Sequence, residues 1–253
     1  MTNRLLWSCI LFPLLAACQF RPPALPYHET PAAPLVQDLE RQRLAYPGVK
    51  ALARVETERK GRKRVYESVA VLQRGLEKFR VEGYGPLGEP LFALVWDGAS
   101  LAVRSPGQQG FTQVGSEALE RMLGIALTPS ELAAVLSGNA PSGVASAAGC
   151  SSDGRCAVDL PVDGGVWRVH LVRRSGSAGG PVQVDALERF QGSSLAFLVR
   201  YEAREDAGSV SFPKRVVVES PSRKVSLRVE YQDAELTAAV DDGAFTTTGE
   251  AAP

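Results

Sequence analysis

The chain has 253 residues, 28 Lys+Arg against 28 Asp+Glu, and 24 glycines and 17 prolines. That length suits one large or two small domains, and the balanced charge gives no argument for nucleic acid as a partner. Beyond the first twenty residues no apolar run is long enough to be a transmembrane helix, and short alternating runs separated by turns point to an antiparallel β protein.

Arg4 gives a short positive start, and Leu5 to Leu15 is an apolar run too short to span a bilayer. It ends in Leu15-Ala16-Ala17-Cys18, the pattern of a bacterial lipobox, in which the cysteine is diacylated and becomes the new N-terminus. Residues 1–17 therefore read as a lipoprotein signal peptide that removes Cys9, with Cys18 the lipidated residue. The alternative is an ordinary secretory signal cleaved near Ala17. Gln19, where aspartate would favour inner-membrane retention, points to the periplasmic face of the outer membrane. Several acyl chains would hold the protein there by additive burial of methylenes. Phe20 to Pro34 contains five prolines, so residues 18–34 read as a lipidated N-terminus and tether. Residues 35–253 then form one domain.

Leu35 to Ala45 has helical spacing and stops before Pro47-Gly48. Ala51 to Glu58 and Val65 to Leu72 predict a hairpin whose turn holds Arg59, Lys60, Arg62, Lys63 and Arg64. This basic tip is either a solvated turn or an attraction for anionic head groups or an acidic partner. Leu76 to Glu82, Leu91 to Trp96 and Leu101 to Arg104 are the next strands, with Asp97-Gly98 as a tight turn. The Leu91–Trp96 run is apolar on both faces, so both should be covered. Between the first two of these strands, Tyr84 to Phe92 forms a turn constrained by Pro86 and Pro90, holding Leu87 where water is expected. Gly83, Gly85 and Gly88 have the spacing of a dinucleotide fingerprint, but a strand follows where that fingerprint needs a helix.

Ser116 to Gly124 predicts a short helix. Thr128-Pro129 to Gly138 predicts a second, with Met122, Leu123, Leu132, Val135 and Leu136 on their apolar faces. Cys150 and Cys156 close a small loop and read as a structural disulfide in an oxidising compartment. A metal pair lacks two further ligands, since His28 lies in the tether and His170 in a strand. Val166 to Val172 puts Trp167, Val169 and Leu171 on one face, with Arg168 and His170 on the other. Val182 to Phe190, Leu195 to Tyr201, Val216 to Val218 and Lys224 to Tyr231 follow. About eleven strands are too many for a small flat sheet, so the sheet must curl. No nucleophile has an activating partner: His170 lacks one, and Ser116, Ser130 and Ser193 lie in no catalytic motif. The chain reads as no enzyme, without cofactor or metal.

From the lipobox onward the sequence resembles LolB, the outer-membrane lipoprotein that receives lipoproteins from the periplasmic carrier LolA. The likeness is sharpest from Phe79 to Pro141: the strand Phe79-Arg80-Val81, the turn Pro86-Leu87-Gly88, the apolar strand after it, and the two helices ending at Leu136-Ser137-Gly138. Arg215 to Glu219 and Lys224 to Glu230, joined by Ser220-Pro221-Ser222, fit the closing strands. The resemblance implies a mainly β fold with short helices: a strongly curved antiparallel sheet forming an unclosed β-barrel, its open side covered by helices over an apolar acyl-chain cavity. It also implies that Leu87, with Pro86 and Gly88, is the exposed residue of a membrane-insertion loop. The expected partners are a LolA-type carrier, its lipoprotein cargo and outer-membrane lipids, with the protein itself a monomer. Candidate cavity residues are Leu91, Ala93, Val95, Met122, Leu132, Leu136, Trp167, Val169, Leu227 and Val229, with core packing the alternative for each. The segment Gly143–Asp163 and the region Leu195–Glu205 exceed the family's usual length. A lipid- or glycolipid-binding protein, or a structural lipoprotein of the same fold, is the alternative function.

Overall fold

The computed structural model describes residues 22–173, 182–207 and 210–247. The signal peptide and Cys18 lie outside the described residues. After β1 (His28–Glu29) and α1 (Ala32–Ala45), six strands follow: β2 (Gly48–Arg59), β3 (Arg62–Arg74), β4 (Lys78–Tyr84), β5 (Pro90–Trp96), β6 (Leu101–Arg104) and β7 (Thr112–Val114). Two helices come next, α2 (Glu117–Leu123) and α3 (Pro129–Ser137). Seven strands close the chain: β8 (Ala147–Cys150), β9 (Arg155–Val162), β10 (Gly165–Arg173), β11 (Val182–Gln191), β12 (Ser194–Ala207), β13 (Val210–Ser220) and β14 (Val225–Leu236).

All fourteen strands join one antiparallel sheet in the order β1-β8-β9-β10-β11-β12-β13-β14-β2-β3-β4-β5-β6-β7. Each half of the chain is thus a meander, and the two meanders meet where β14 pairs with β2. So many twisted strands curl on themselves, yet among the described residues β1 and β7 are the edges, each paired on one side, and the barrel stays open. The segment from β7 to β8 has to pass from one edge region to the other, and it carries α2 and α3 across the inner face. Leu35 and Leu39 of α1, Leu119 of α2 and Leu132 and Val135 of α3 join the inner faces of both meanders in one core. Among the described residues no helix is long and apolar enough to cross a membrane.

The local signals behave as their chemistry requires. Thr128 caps α3 in a reciprocal box with Glu131 and Pro129 opens the helix, while Gly138 ends it at φ +74°. The Asp97 carboxylate accepts the backbone N–H of Ser100 and Ala99, which fixes the β5–β6 turn and holds its pKa below the usual value. β5 is covered on both faces, as its composition demands. Its outer face lies under Val240 and Phe245, with Phe245 in a 3-10 turn formed by Asp242–Phe245.

The structure departs from the sequence expectation in strand number and in the extent of the tether. The expected count of about eleven strands falls short because β1, β7, β8 and β9 are brief or lack clean alternation. Within the long segment Gly143–Asp163, β8 and β9 extend the sheet, and the expected Cys150–Cys156 disulfide joins directly paired residues of the two strands. The tether is shorter than residues 18–34. His28 and Glu29 pair with Cys150 and Gly149, α1 begins at Ala32, and the Pro23 carbonyl accepts a hydrogen bond from Arg168 on the outer face. Arg168 is itself buried against Asp159, at 2.8 and 2.9 Å, so the proline-rich segment gains a fixed partner that its composition does not reveal.

Candidate functional site

The inner face of β2–β5 is apolar in depth. Val69 and Val71 of β3 and Leu94 of β5 form its floor, each no more than 4% exposed. Val81 of β4 and Phe92 of β5 continue the wall, and the Phe92 ring meets the Tyr66 ring edge-on at 5.1 Å. Gly83 makes that possible, because a Cβ there would fall 2.2 Å from the Phe92 ring. Leu227 and Val229 of β14 supply the opposite wall, with Leu132 and Leu136 of α3 and Met122 of α2 above. Together they enclose a cavity of about 1040 Å³ that opens at one end of the sheet. This is at the top of the roughly 300–1,000 Å³ range of small-molecule sites.

The two covering helices are held in different ways. α3 is fixed by buried polar bonds: Gln73 Nε2 donates to the Ala133 carbonyl at 3.0 Å, and Tyr231 Oη donates to the Leu136 carbonyl at 2.9 Å. Tyr46 Oη in turn donates to Gln73 Oε1 at 2.7 Å, and burial raises the pKa of the Tyr46 phenol well above its usual value. Trp167 Nε1 donates to Glu131 Oε1 at 2.6 Å, tying α3 to β10. α2 is held instead by solvated groups, with Arg59 donating to the Arg121 carbonyl at 3.2 Å and Arg223 pairing with Glu120. Its Met122 is 46% exposed.

Six of the ten residues expected to line a cavity do so: Leu91, Met122, Leu132, Leu136, Leu227 and Val229. The other four lie elsewhere. Ala93 and Val95 have the opposite parity from Phe92 and Leu94 and point to the outer face. There Ala93 lies between Glu82 and Arg104 in register, and its small side chain lets Arg104 reach Glu82 at 3.2 Å. Trp167 and Val169 face inward but in the other meander, where Trp167 packs against Phe197 at 5.2 Å in a filled core. Leu91 escapes its own strand's alternation because the β4–β5 register shifts between Gly83 and Tyr84, leaving it the bulged residue. A second shift, between Ala53 and Val55, brings both Tyr66 and Val69 to the inner face although they are three apart. A strict period of two misses such residues.

At the open end, Pro86-Leu87-Gly88 forms a three-residue hairpin loop. Gly88 N–H donates to the Gly85 carbonyl at 3.0 Å, Gly85 N–H to the Glu89 carbonyl at 2.8 Å, and Gly88 has φ +81°. The Glu89 carboxylate folds over Gly85, where a Cβ would collide with it, and accepts the Leu87 N–H at 3.0 Å. Every constraint holds the backbone and none holds the Leu87 side chain, which is 95% exposed. Register places this loop at the same end as the basic tip and the cavity mouth: Tyr84 pairs with Ser68, while Arg59 pairs with both Arg62 and Val225. The glycine triplet of the nucleotide-like spacing is therefore a hairpin.

Two polar clusters lie on the outer face. Glu82 accepts from Arg80 at 2.7 Å and from Tyr84 at 2.6 Å. Burial opposes its ionisation, but these donors and the charge of Arg104 outweigh it and hold the carboxyl below its usual pKa. The same burial and bond push the Tyr84 phenol up to about 12. His170 Nε2 lies 3.0 Å from Glu188 Oε2, and this bond lowers the Glu188 pKa. Among the described residues no three His, Cys, Asp or Glu side chains gather as a metal site would require. A second recess of about 590 Å³ beside α3 is lined by Glu117, Glu131 and Arg189, and its polarity does not suit an acyl chain.

No protein-family profile matches the sequence, and no curated protein matches it. The fold does match solved structures. A LolA superfamily protein from Nitrosomonas europaea superposes with a TM-score of 0.52 at 14% identity, covering 86% of this chain and 98% of that one. A domain named for outer-membrane lipoprotein sorting, from Vibrio parahaemolyticus, gives a TM-score of 0.59 at 10% identity, covering 84% and 94%. The likeness establishes the architecture: this chain has a LolA-like unclosed barrel.

Proposed function

We propose that the protein is a lipid-anchored receptor that takes acyl chains into the β2–β5 cavity and passes acylated lipoproteins from a LolA-type carrier into the outer membrane. The observation that carries the reading is the position of the cavity mouth on the rim that bears Leu87. Transfer of this kind needs no nucleophile and no metal. Each methylene buried contributes about 0.8 kcal/mol, so a long chain leaves one apolar cavity far more readily for another than for water. The fixed backbone of the Pro86–Gly88 loop presents one large apolar side chain to whatever meets the rim.

The path of the N-terminus supports the same orientation. Tyr27 lies beside His170 and Pro23 beside Arg168, while β10 begins at the rim with Gly165. The described chain, followed backwards, thus climbs the outer face towards the mouth. From Pro23 the five residues to Cys18 span at most about 18 Å when extended, so a lipid anchor at Cys18 would keep this rim near the membrane.

The test is transfer. A Cys18→Ala form is mixed with a LolA-type carrier loaded with labelled lipoprotein, and the label that moves is measured after separation. Transfer is expected, and Leu87→Glu should keep it while reducing insertion into vesicles by the anchored protein at least tenfold. Normal insertion by Leu87→Glu would remove the loop from the mechanism. Failure of transfer to a folded protein would overturn the receptor role.

A further inference from the structure

The inner face of the β2–β3 hairpin changes character along its length. In depth it is Val55 and Tyr66, directly paired; two residues nearer the tip it is Thr57 paired with Arg64; at the tip it is Arg59 paired with Arg62. Among the described residues five cations line the mouth, Lys60 and Arg121 with these three arginines, and Glu58 is the one carboxylate lining it. Among the described residues none of these five makes an ion pair. Lys63, on the same hairpin but facing outward, pairs with Glu56 at 2.7 Å, and Arg54 pairs with Glu67 at 3.0 Å. The outer face of the tip is thus neutralised and the inner face is not.

Like charges directly opposed across a strand pair destabilise it, and Arg59 against Arg62 is such a pair. Arg64 lies two residues further along the same face, about 7 Å from Arg62 by strand geometry. Three guanidinium groups so placed, at the edge of an apolar cavity, match an anionic group attached to acyl chains. Guanidinium binds phosphate or carboxylate through paired N–H donors.

We propose that the cavity takes an anionic amphiphile, its chains among Val69, Val71 and Leu94 and its phosphate or carboxylate on Arg59, Arg62 and Arg64. This rests on the reading of the cavity as an acyl-chain site and adds an anionic lipid as an occupant beside a lipoprotein's neutral diacylglycerol. It also gives the basic tip a specific role, distinct from a generally solvated turn.

The experiment is a competition. The full chain, purified in a non-ionic detergent, is incubated with equal amounts of phosphatidylglycerol, phosphatidylcholine and palmitate of matched chain length, and bound lipid is extracted and counted. Phosphatidylglycerol should exceed phosphatidylcholine at least tenfold, about 1.4 kcal/mol, and added salt should shrink the ratio. Arg62→Gln combined with Arg64→Gln should bring the ratio near one, whereas Lys63→Gln, on the outer face of the same tip, should leave it intact. Palmitate captured as well as phosphatidylglycerol would support the proposal with a carboxylate as the anion. Equal capture of the two phospholipids would overturn the head-group selection and leave the acyl cavity standing. Capture of no lipid would overturn the acyl reading and this one with it. Equal loss of preference in Lys63→Gln would overturn the assignment to the inner face. Glycerophosphate, which carries the anion without chains, should compete at least a hundredfold more weakly, and parity with the lipid would also overturn the proposal.

Discussion

In β9–β12 the inner face is filled: Trp167, Val169, Leu187 and Phe197 are at most 2% exposed and close against Leu35 and Leu39 of α1. In β2–β5 the same face of the same sheet holds a cavity of about 1040 Å³. The strands do not differ enough in composition to explain this, since both sets alternate valine, leucine and aromatic residues. What differs is the element opposite them. α1 has fourteen residues and lays two leucines into the C-terminal meander, whereas α2 has seven and buries only Ala118 and Leu119. The cavity exists where α2 is too short to fill the curve and α3 reaches over it with Leu132 and Leu136. Among the described residues the cations of its mouth make no ion pair, while the outer face of the other meander has paired charges such as Arg168–Asp159.

The sharpest break of that contrast is Phe197→Ala, in the filled core. It should cost about 3–5 kcal/mol, read as a lower denaturant midpoint at unchanged slope, while acyl uptake per folded molecule stays as in the parent chain. Overpacking comes next. Val169→Phe should destabilise by about 1–3 kcal/mol, but Val81→Phe, at the cavity wall, should fall within about 0.5 kcal/mol and displace an acyl probe. Equal costs at the two positions would mean that the cavity closes in solution.

Glu82→Gln tests the outer face of the cavity half. It should cost about 1–2 kcal/mol near pH 7, because hydrogen bonds to a charged group contribute about 1.5–3 kcal/mol and part of this survives in the amide. The Glu82 pKa is lowered in the folded state, so its contribution is present above the unfolded value of about 4.3. It is lost as pH falls through the lower folded value. The parent and variant stabilities should therefore converge in acid, and a gap that persists there would contradict the cause given for the shift. Smallest of all, Leu87→Glu should leave stability within about 0.5 kcal/mol, which a thermal melt can check, because its side chain is 95% exposed.

Much of the molecule follows from local chemistry. The helix boundaries come from Thr128, Pro129 and Gly138, the Asp97 turn from its own carboxylate, and the exposure of Leu87 from prolines and glycines that fix the loop around it. The double-sided burial of Leu91–Trp96 is likewise legible, because a strand without polar residues has to be covered twice. The cavity list shows where this stops. Phe92 and Leu94, not Ala93 and Val95, face the cavity, and a two-sided apolar strand carries no mark of that parity. Leu91, Tyr66 and Val69 reach the cavity only through bulges that break the period.

Local chemistry specifies a curved antiparallel sheet, two short helices between its halves, an apolar loop tip and a cationic hairpin. That one meander is filled and the other hollow, and that Arg59, Arg62 and Arg64 share the hollow side, emerges from packing between distant elements. The physical reason is that strand periodicity gives two faces without saying which is concave, and a helix's own sequence does not reveal how much of a facing curve it can fill.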